Sequence, residues 1–238
     1  MKPLSLPLSI DDLFHGRAIE WERLEFKKGW NPVGILHSIC AFANDFHNLG
    51  GGYIVIGVEE KGGLPVLPPV GLNPAEVDTI QKEILNMGYS DIQPYYHPLV
   101  VPAEVEGCTI LILWVLGGQT RPYKAKLRLG IKSKDFGYFI RKESSTVRAK
   151  VADEAELLTL ATTVPFDDRF HQQAKVEDLS RDLMVEYLQQ VGSDLAKQEE
   201  SLTLEELGRQ MGIIGGPSEH PFPLNVGLMM FNPTLSRY

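Results

Sequence analysis

The sequence predicts an α/β (α+β) fold: a mixed β-sheet with flanking helices over residues 1–163, followed by a C-terminal helical appendage over 164–238. Three observations lead there. Apolar, β-branched runs alternate with proline-led amphipathic segments through the first two thirds of the chain. Two of those runs are joined by Glu106-Gly107, a hairpin signal. After residue 163 the periodicity is helical alone. With 238 residues and 43% hydrophobic content, the chain can bury a substantial core.

The elements follow in order. A short helix forms near "SIDDLF", with Ser9 as its N-cap, and "AIEWERLEFKK" alternates Leu24 and Phe26 with Glu25 and Lys27, the pattern of a half-buried strand. Asn31-Pro32 opens a helix whose wide apolar stripe, Ile35 to Phe46, runs to about His47. "YIVIGV" (53–58) reads as a central buried strand, and "NPAEVDTIQKEILNMG" (73–88) as a second proline-led helix ending at a glycine. "YHPLVVPAEVEG" and "CTILILWVL" make the hairpin. Short strands follow around "GIKSK" and "GYFIRK", then a helix from Asp153 to Thr162. In the appendage, "DLMVEYLQQVG" and "TLEELGRQMG" are amphipathic helices, the latter with Thr203 and Glu206 at capping-box spacing, and "NVGLMMFNPTLSRY" begins a further apolar element. Two helices and a fragment predict no independent core, so docking on the first domain or pairing with another copy is expected.

The net charge of −8 conceals a division. Residues 121–150 carry ten basic and two acidic side chains, a balance of +8; residues 151–206 carry four basic and fourteen acidic, a balance of −10. A basic surface for a phosphate backbone beside an acidic helical module would give this pattern, and so would two solvated faces attracting each other. No run approaches the roughly 18 apolar residues of a membrane span, and the start has no signal-peptide layout, so a cytoplasmic protein is expected. Cys40 and Cys108 lie in apolar segments without metal or disulfide spacing and read as buried free thiols. The histidines lack i, i+4 pairing, which argues against a histidine-based site.

"NLGGGYIVIGV" follows a helix and precedes a strand, the reverse of a phosphate-binding loop, and no Lys-Ser or Lys-Thr follows the glycines. Gly50, Gly51 and Gly52 read instead as a helix C-cap in left-handed conformation followed by tight packing into the strand. Asn44, at the end of the apolar helix, is expected to hydrogen-bond the next strand's backbone and fix the turn.

The stretch "RLEFKKGWNPVGILHSICAFANDFHNLGGGYIVIGVEEKGG" resembles the signature of the Schlafen AlbA-like DNA-binding domains: a strand with E-F-K, a helix with A-F-A-N, a glycine turn, and a strand ending in G-V plus acidic residues. "TRPYKA" (120–125) and "GYFIRKESSTVRA" (137–149) are similar to that family's later blocks, so the resemblance covers roughly residues 17–160. One departure is Lys142-Glu143, where the family pattern has a glycine just before the serines. Longer members are often labelled transcriptional regulators and carry a C-terminal region whose beginning is similar to "NVGLMMFNP"; the resemblance implies a truncated or short member.

Three functions follow as expectations. The first is a DNA-binding transcriptional regulator, with Arg121, Lys124, Lys126, Arg128, Lys132, Lys134, Arg141 and Arg148 on phosphates and Ser144, Ser145 and Thr146 adding shorter hydrogen bonds; Tyr123 and Tyr138 could stack on exposed bases. It needs no cofactor. The second, implied by the resemblance to Schlafen proteins that cleave RNA, is an endoribonuclease in which Glu20, Glu25 and Glu59 hold Mg²⁺ or Mn²⁺ to activate water. The nuclease pattern has Asp at the third position where this chain has Glu59, and Glu60 is a substitute. The third is a protein-interaction or dimerisation module, a homo-oligomer such as a homodimer, in which the acidic helices cover the basic segment and nucleic acid never binds.

Overall fold

A computed structural model of the chain describes residues 6–15, 21–130 and 134–234. The chain divides into two compact units, Met1–Ala161 and Thr162–Tyr238. The first runs α1 (Ile10–His15), β1 (Leu24–Lys27), α2 (Pro32–Asn44), β2 (Gly52–Ile56), β3 (Glu60–Lys61), β4 (Leu64–Pro65), α3 (Pro74–Ser90), β5 (Ile92–Gln93), β6 (Leu99–Val105), β7 (Cys108–Val115), β8 (Lys124–Lys126), β9 (Phe136–Lys142), β10 (Ser145–Arg148) and α4 (Val151–Thr163).

The class is α/β, with eight of these strands divided between two four-stranded sheets and β3 and β4 forming a small ribbon of their own. The first, ordered β1-β2-β7-β6, is mixed: β1 and β2 are parallel and the other pairs antiparallel. The second, β10-β9-β8-β5, is antiparallel throughout. The division follows from α2, whose side chains are apolar nearly all round and need cover on more than one side. Ile54, Ile56, Leu111 and Leu113 of the first sheet and Ala125 and Phe139 of the second share one core with α2, which is therefore held between the sheets. Alternate residues of β2 and β7, Tyr53, Val55, Ile112 and Trp114, face the other way into a second cluster with Leu13 and Phe14 of α1.

Local signals explain the element ends. Asn31 Oδ1 accepts from Gly34 N at 3.1 Å and Asn73 Oδ1 from Ala75 N at 3.1 Å, capping α2 and α3 just ahead of their prolines. Helix α2 stops at Asn44, short of His47, because Asp45 rather than a glycine turns left-handed, with φ of 44°. Its carboxylate then accepts from Leu49 N at 2.8 Å and Gly50 N at 3.1 Å. The glycines that follow make room for neighbours. A Cβ on Gly51 would lie 2.0 Å from the Val115 carbonyl oxygen, and one on Gly52 2.3 Å from Phe42 Cε1.

Elsewhere, Trp21–Arg23 is a single 3₁₀ turn before β1. Glu106 and Gly107, with φ of 49° and 76°, close the β6–β7 hairpin. Helix α3 continues past Gly88 to Ser90. β8 forms in a stretch without strand signal, and the strand expected around "GIKSK" falls largely on residues 131–133, outside the described residues.

The second unit contains α5 (Arg181–Gln190), α6 (Leu204–Gln210), a two-stranded ribbon of β11 (Ile214–Gly215) and β12 (Phe222–Pro223), and α7 (Asn225–Phe231). The capping box forms, with Glu206 N donating to Thr203 Oγ1 at 3.2 Å and Thr203 N to Glu206 Oε2 at 2.8 Å. Contrary to the expectation of no core, Met184, Leu188, Leu207, Ile214, Leu228 and Phe231 pack together, because the ribbon and the "NVGLMMF" helix close over α5 and α6. No helix among the described residues is long and apolar enough to cross a membrane.

Candidate nucleic-acid interface

Glu25 lies on β1 with its side chain toward α2 and the second sheet, where it is 7% exposed. Both oxygens are engaged. Oε1 accepts from Ser38 Oγ at 2.8 Å and lies 2.5 Å from Lys27 Nζ; Oε2 accepts from Arg141 Nη1 at 2.7 Å and Thr146 Oγ1 at 3.1 Å. Arg141 in turn donates from Nε to the Glu22 carbonyl at 3.1 Å and stacks over the Phe42 ring at 4.7 Å. Burial pulls its guanidinium below the usual range, and the charge of Glu25 opposes that shift. Arg141 Nη2 is buried without a hydrogen-bond partner and borders a pocket, lined also by Arg23, Asp45 and His47, with room for about one water molecule.

This network removes Arg141 and Thr146 from the set of surface phosphate contacts: both face inward, Arg141 neutralising the buried carboxylate and Thr146 donating a hydrogen bond to it. Arg121 is similarly occupied. Its Nη1 donates to the Asp45 carbonyl at 3.0 Å and to Asn48 Oδ1 at 2.9 Å, closing the end of α2 where carbonyls lack helical partners. Lys126 Nζ pairs with Asp91 at 2.6 Å. Tyr123 is corrected outright as a stacking residue. It is 3% exposed, packed in the core against Tyr96, with its hydroxyl against Thr120 Oγ1 at 2.8 Å, so its ring presents no face to a base.

The remaining cations face water. Arg128, Lys134 and Arg148 are exposed and make no ion pair among the described residues; Lys124 is half-buried, its Nζ 4.7 Å from the Tyr138 ring centroid. Arg128 and Lys134 belong to the β8–β9 loop. Arg148 Nε reaches over Gly137 at the same end of the sheet, within 3.1 Å of where a Cβ would stand. Ser144 and Ser145 are exposed too, but they sit at the far end of β9, roughly 20 Å away for a strand of this length. Lys132 lies outside the described residues.

Glu20 also lies outside the described residues. The other two members of the carboxylate set have different partners: Glu25 is buried in the network above, while Glu59 is half-buried and held by Lys28 Nζ at 3.2 Å from each oxygen. Glu60 is exposed on the small β3–β4 ribbon. No group of three His, Cys, Asp or Glu that could hold a metal ion occurs among the described residues. Cys40 is sealed in the core, where burial pushes its thiol up to about 12, and Cys108 is half-buried; both are free.

Sequence reading missed Tyr89 and Tyr95, which are 66% and 69% exposed and lie with rings 6.2 Å apart. The signal available was "MGYSDIQPYYHP", aromatic residues clustered around a proline at a helix end.

The family model described as Schlafen, AlbA_2 matches residues 20–150, more than half of the chain. No curated protein matches. Among solved structures, the chain is similar to the DIP2311 protein of Corynebacterium diphtheriae, at 20% identity and a TM-score of 0.39, covering 89% of this chain and 41% of that one. It is also similar to the N-terminal domain of a protein related to the ATP-dependent DNA helicase RecG, from Nitrosomonas europaea, at 27% identity and a TM-score of 0.41, covering 60% of this chain and 95% of that one. The family match extends over more than half of the chain and leads to one conclusion: the chain belongs to the Schlafen AlbA_2 family.

Proposed function

We propose that this chain is a DNA-binding regulator whose first unit grips the phosphate backbone with the free cations of its second sheet. The observation that carries the reading is the sorting of the basic segment. Arg121, Lys126 and Arg141 are occupied within the fold, whereas Arg128, Lys134 and Arg148 extend into water at one end of the sheet and Lys124 lies on its outer face. Cations with no intramolecular partner are available to displace the counterions of a polyanion, which is the source of sequence-independent affinity. The exposed hydroxyls of Ser144 and Ser145 supply short hydrogen bonds at the other end.

Binding to duplex DNA should weaken linearly in log K against log salt, with a slope of about −0.9 for each phosphate neutralised. Replacing Arg128, Lys134 and Arg148 by Ala should flatten the slope by about 0.9 per cation that contacts phosphate. An absence of binding at low salt, or an unchanged slope in the triple variant, would refute the interface.

A further inference from the structure

Tyr89, in the last turn of α3, and Tyr95, two residues beyond β5, form an aromatic surface with His97. Its construction is local. Tyr96 points inward, its hydroxyl donating to the Leu116 carbonyl at 2.6 Å and its N–H to Gly88 O at 3.2 Å; Tyr95 is turned outward, and His97 lies beneath it with both ring nitrogens buried and without a hydrogen-bond partner. His97 packs onto the bare backbone of Gly88, where a Cβ would come within 2.3 Å of Nδ1. Its ring meets Tyr89 edge-on at 4.2 Å and Tyr95 at 6.1 Å. Burial lowers the pKa of the His97 imidazole under the two phenols. Tyr89 and Tyr95 nevertheless remain 66% and 69% exposed, an unusual state for two adjoining aromatic residues.

The position of this surface matters. β5 is the edge strand of the second sheet, and its Gln93 is paired with Lys124 of β8, which in turn is paired with Tyr138 of β9. Gln93, Lys124 and Tyr138 therefore share the outer face of the sheet, and the chain continues from Gln93 through Pro94 to Tyr95. A cation without an ion-pair partner thus sits on the strand beside the one that leads into the aromatic shelf, the combination that suits a strand whose phosphates and unpaired bases must be held at once. A base in a closed duplex offers no π-face to such a shelf.

We infer that Tyr89 and Tyr95 are a stacking platform for unpaired bases, and that the ligand of this domain includes single-stranded nucleic acid threaded past Lys124. The inference rests on the nucleic-acid reading above and adds the strandedness of the ligand. The test is fluorescence anisotropy with a labelled oligothymidine of about 20 nucleotides and a duplex of equal length, at about 50 mM salt. Tyr89→Ala with Tyr95→Ala should weaken single-strand binding by about tenfold or more while leaving duplex binding within about twofold. Tyr89→Phe with Tyr95→Phe should retain wild-type affinity, because the π-face persists without the hydroxyls, and Lys124→Ala should weaken both ligands. Both tyrosines are exposed, so the variants should keep the wild-type circular dichroism spectrum. Single-strand affinity unchanged in the double alanine variant, with duplex binding still dependent on Arg128, Lys134 and Arg148, would overturn the platform and leave the phosphate interface standing. Failure of the wild-type protein to bind either ligand would overturn both.

Discussion

Arg141 and Glu25 meet across 116 residues of sequence, Nη1 to Oε2 at 2.7 Å, with side chains only 6% and 8% exposed. The pair ties β9 of the second sheet to β1 of the first, and Ser38 and Thr146 complete the carboxylate's hydrogen bonds. Removing one member leaves the other charged and buried, a loss of about 3–5 kcal/mol. Glu25→Ala should therefore lower the urea midpoint of the first unit sharply. Glu25→Gln, which keeps an acceptor for Ser38 and Thr146, should cost less. Equal midpoints for wild type and Glu25→Ala would show that the pair contributes nothing. The same logic bears on enzymology: a loss of nuclease activity in a Glu25 variant would report unfolding unless the fold is measured alongside.

Asn44 connects the same layers through the backbone. Its Nδ2 donates to Tyr123 O at 2.9 Å and Phe139 O at 2.8 Å, and its Oδ1 accepts from Tyr123 N at 2.7 Å, all fully buried. The bonds reach β9 and the entry to β8, not the strand that follows the helix. Asn44→Ala strands the Tyr123 N–H and the Phe139 carbonyl at a cost of about 1–3 kcal/mol each, and leaves the Tyr123 carbonyl only the weak Cys40 thiol at 3.3 Å. Asn44→Asp should be worse, since a buried carboxylate would face two carbonyls without a donor to offer them. Thermal unfolding should rank wild type, Ala and Asp in that order of decreasing stability; an Asp variant as stable as the Ala variant would contradict the donor role.

The contrast between Asn44 and Asn31 shows what the sequence can and cannot reveal. Asn31 caps α2 through Gly34 N, three residues away, and Asn73 caps α3 through Ala75 N; such local pairings are visible as Asn-Pro before an apolar stripe. The Glu106-Gly107 hairpin is legible for the same reason. The partners of Asn44 lie 79 and 95 residues away, and no periodicity encodes them. The same gap limits the candidate site. A count of cations finds the basic segment, but which of them are free depends on Glu25, Asn48 and Asp91, contributed by other elements. Tyr123 and Tyr95 illustrate it for aromatics: both follow or adjoin a proline, yet one is core and the other exposed, because only Tyr123 sits beneath α2. β8, three residues long and entered from Pro122, is too short to show alternation.

His37 supplies a pH dependence with a definite sign. Its ring stacks on Phe139 at 3.8 Å and its Nε2–H donates to the Lys126 carbonyl at 2.9 Å. Burial lowers its pKa from the ordinary 6.5, although the Lys126 hydrogen bond works in the opposite direction. The folded state thus binds the proton more weakly than the unfolded state. Its stabilising contribution is complete above the unfolded pKa and is lost as pH falls through the folded one. Chemical denaturation from about pH 7.5 to 5 should show a falling midpoint, and His37→Gln should reduce that fall while His97 and His220, shifted in the same direction, preserve part of it. An identical pH slope in the variant would remove His37 as a contributor.

Glu143 offers a gain instead of a loss. It occupies the two-residue turn between β9 and β10, where Ser145 pairs with Lys142, and its φ of 52° lies in the left-handed region that a side chain with a Cβ enters at a cost. The resemblance to Schlafen AlbA-like sequences puts a glycine just before the serines, and the geometry supplies the reason: glycine takes this conformation without steric penalty. The carboxylate is exposed and makes no hydrogen bond or ion pair among the described residues that its loss would remove. Against this stands the extra freedom glycine gives the unfolded chain, which offsets part of the relief. The net for Glu143→Gly should be a stabilisation of about 0.5–1 kcal/mol, read as a higher urea midpoint with an unchanged denaturant slope. The same substitution removes a negative charge beside Ser144 and Ser145, so duplex DNA affinity at low salt should rise modestly as well. A midpoint that falls would mean the entropy term outweighs the strain.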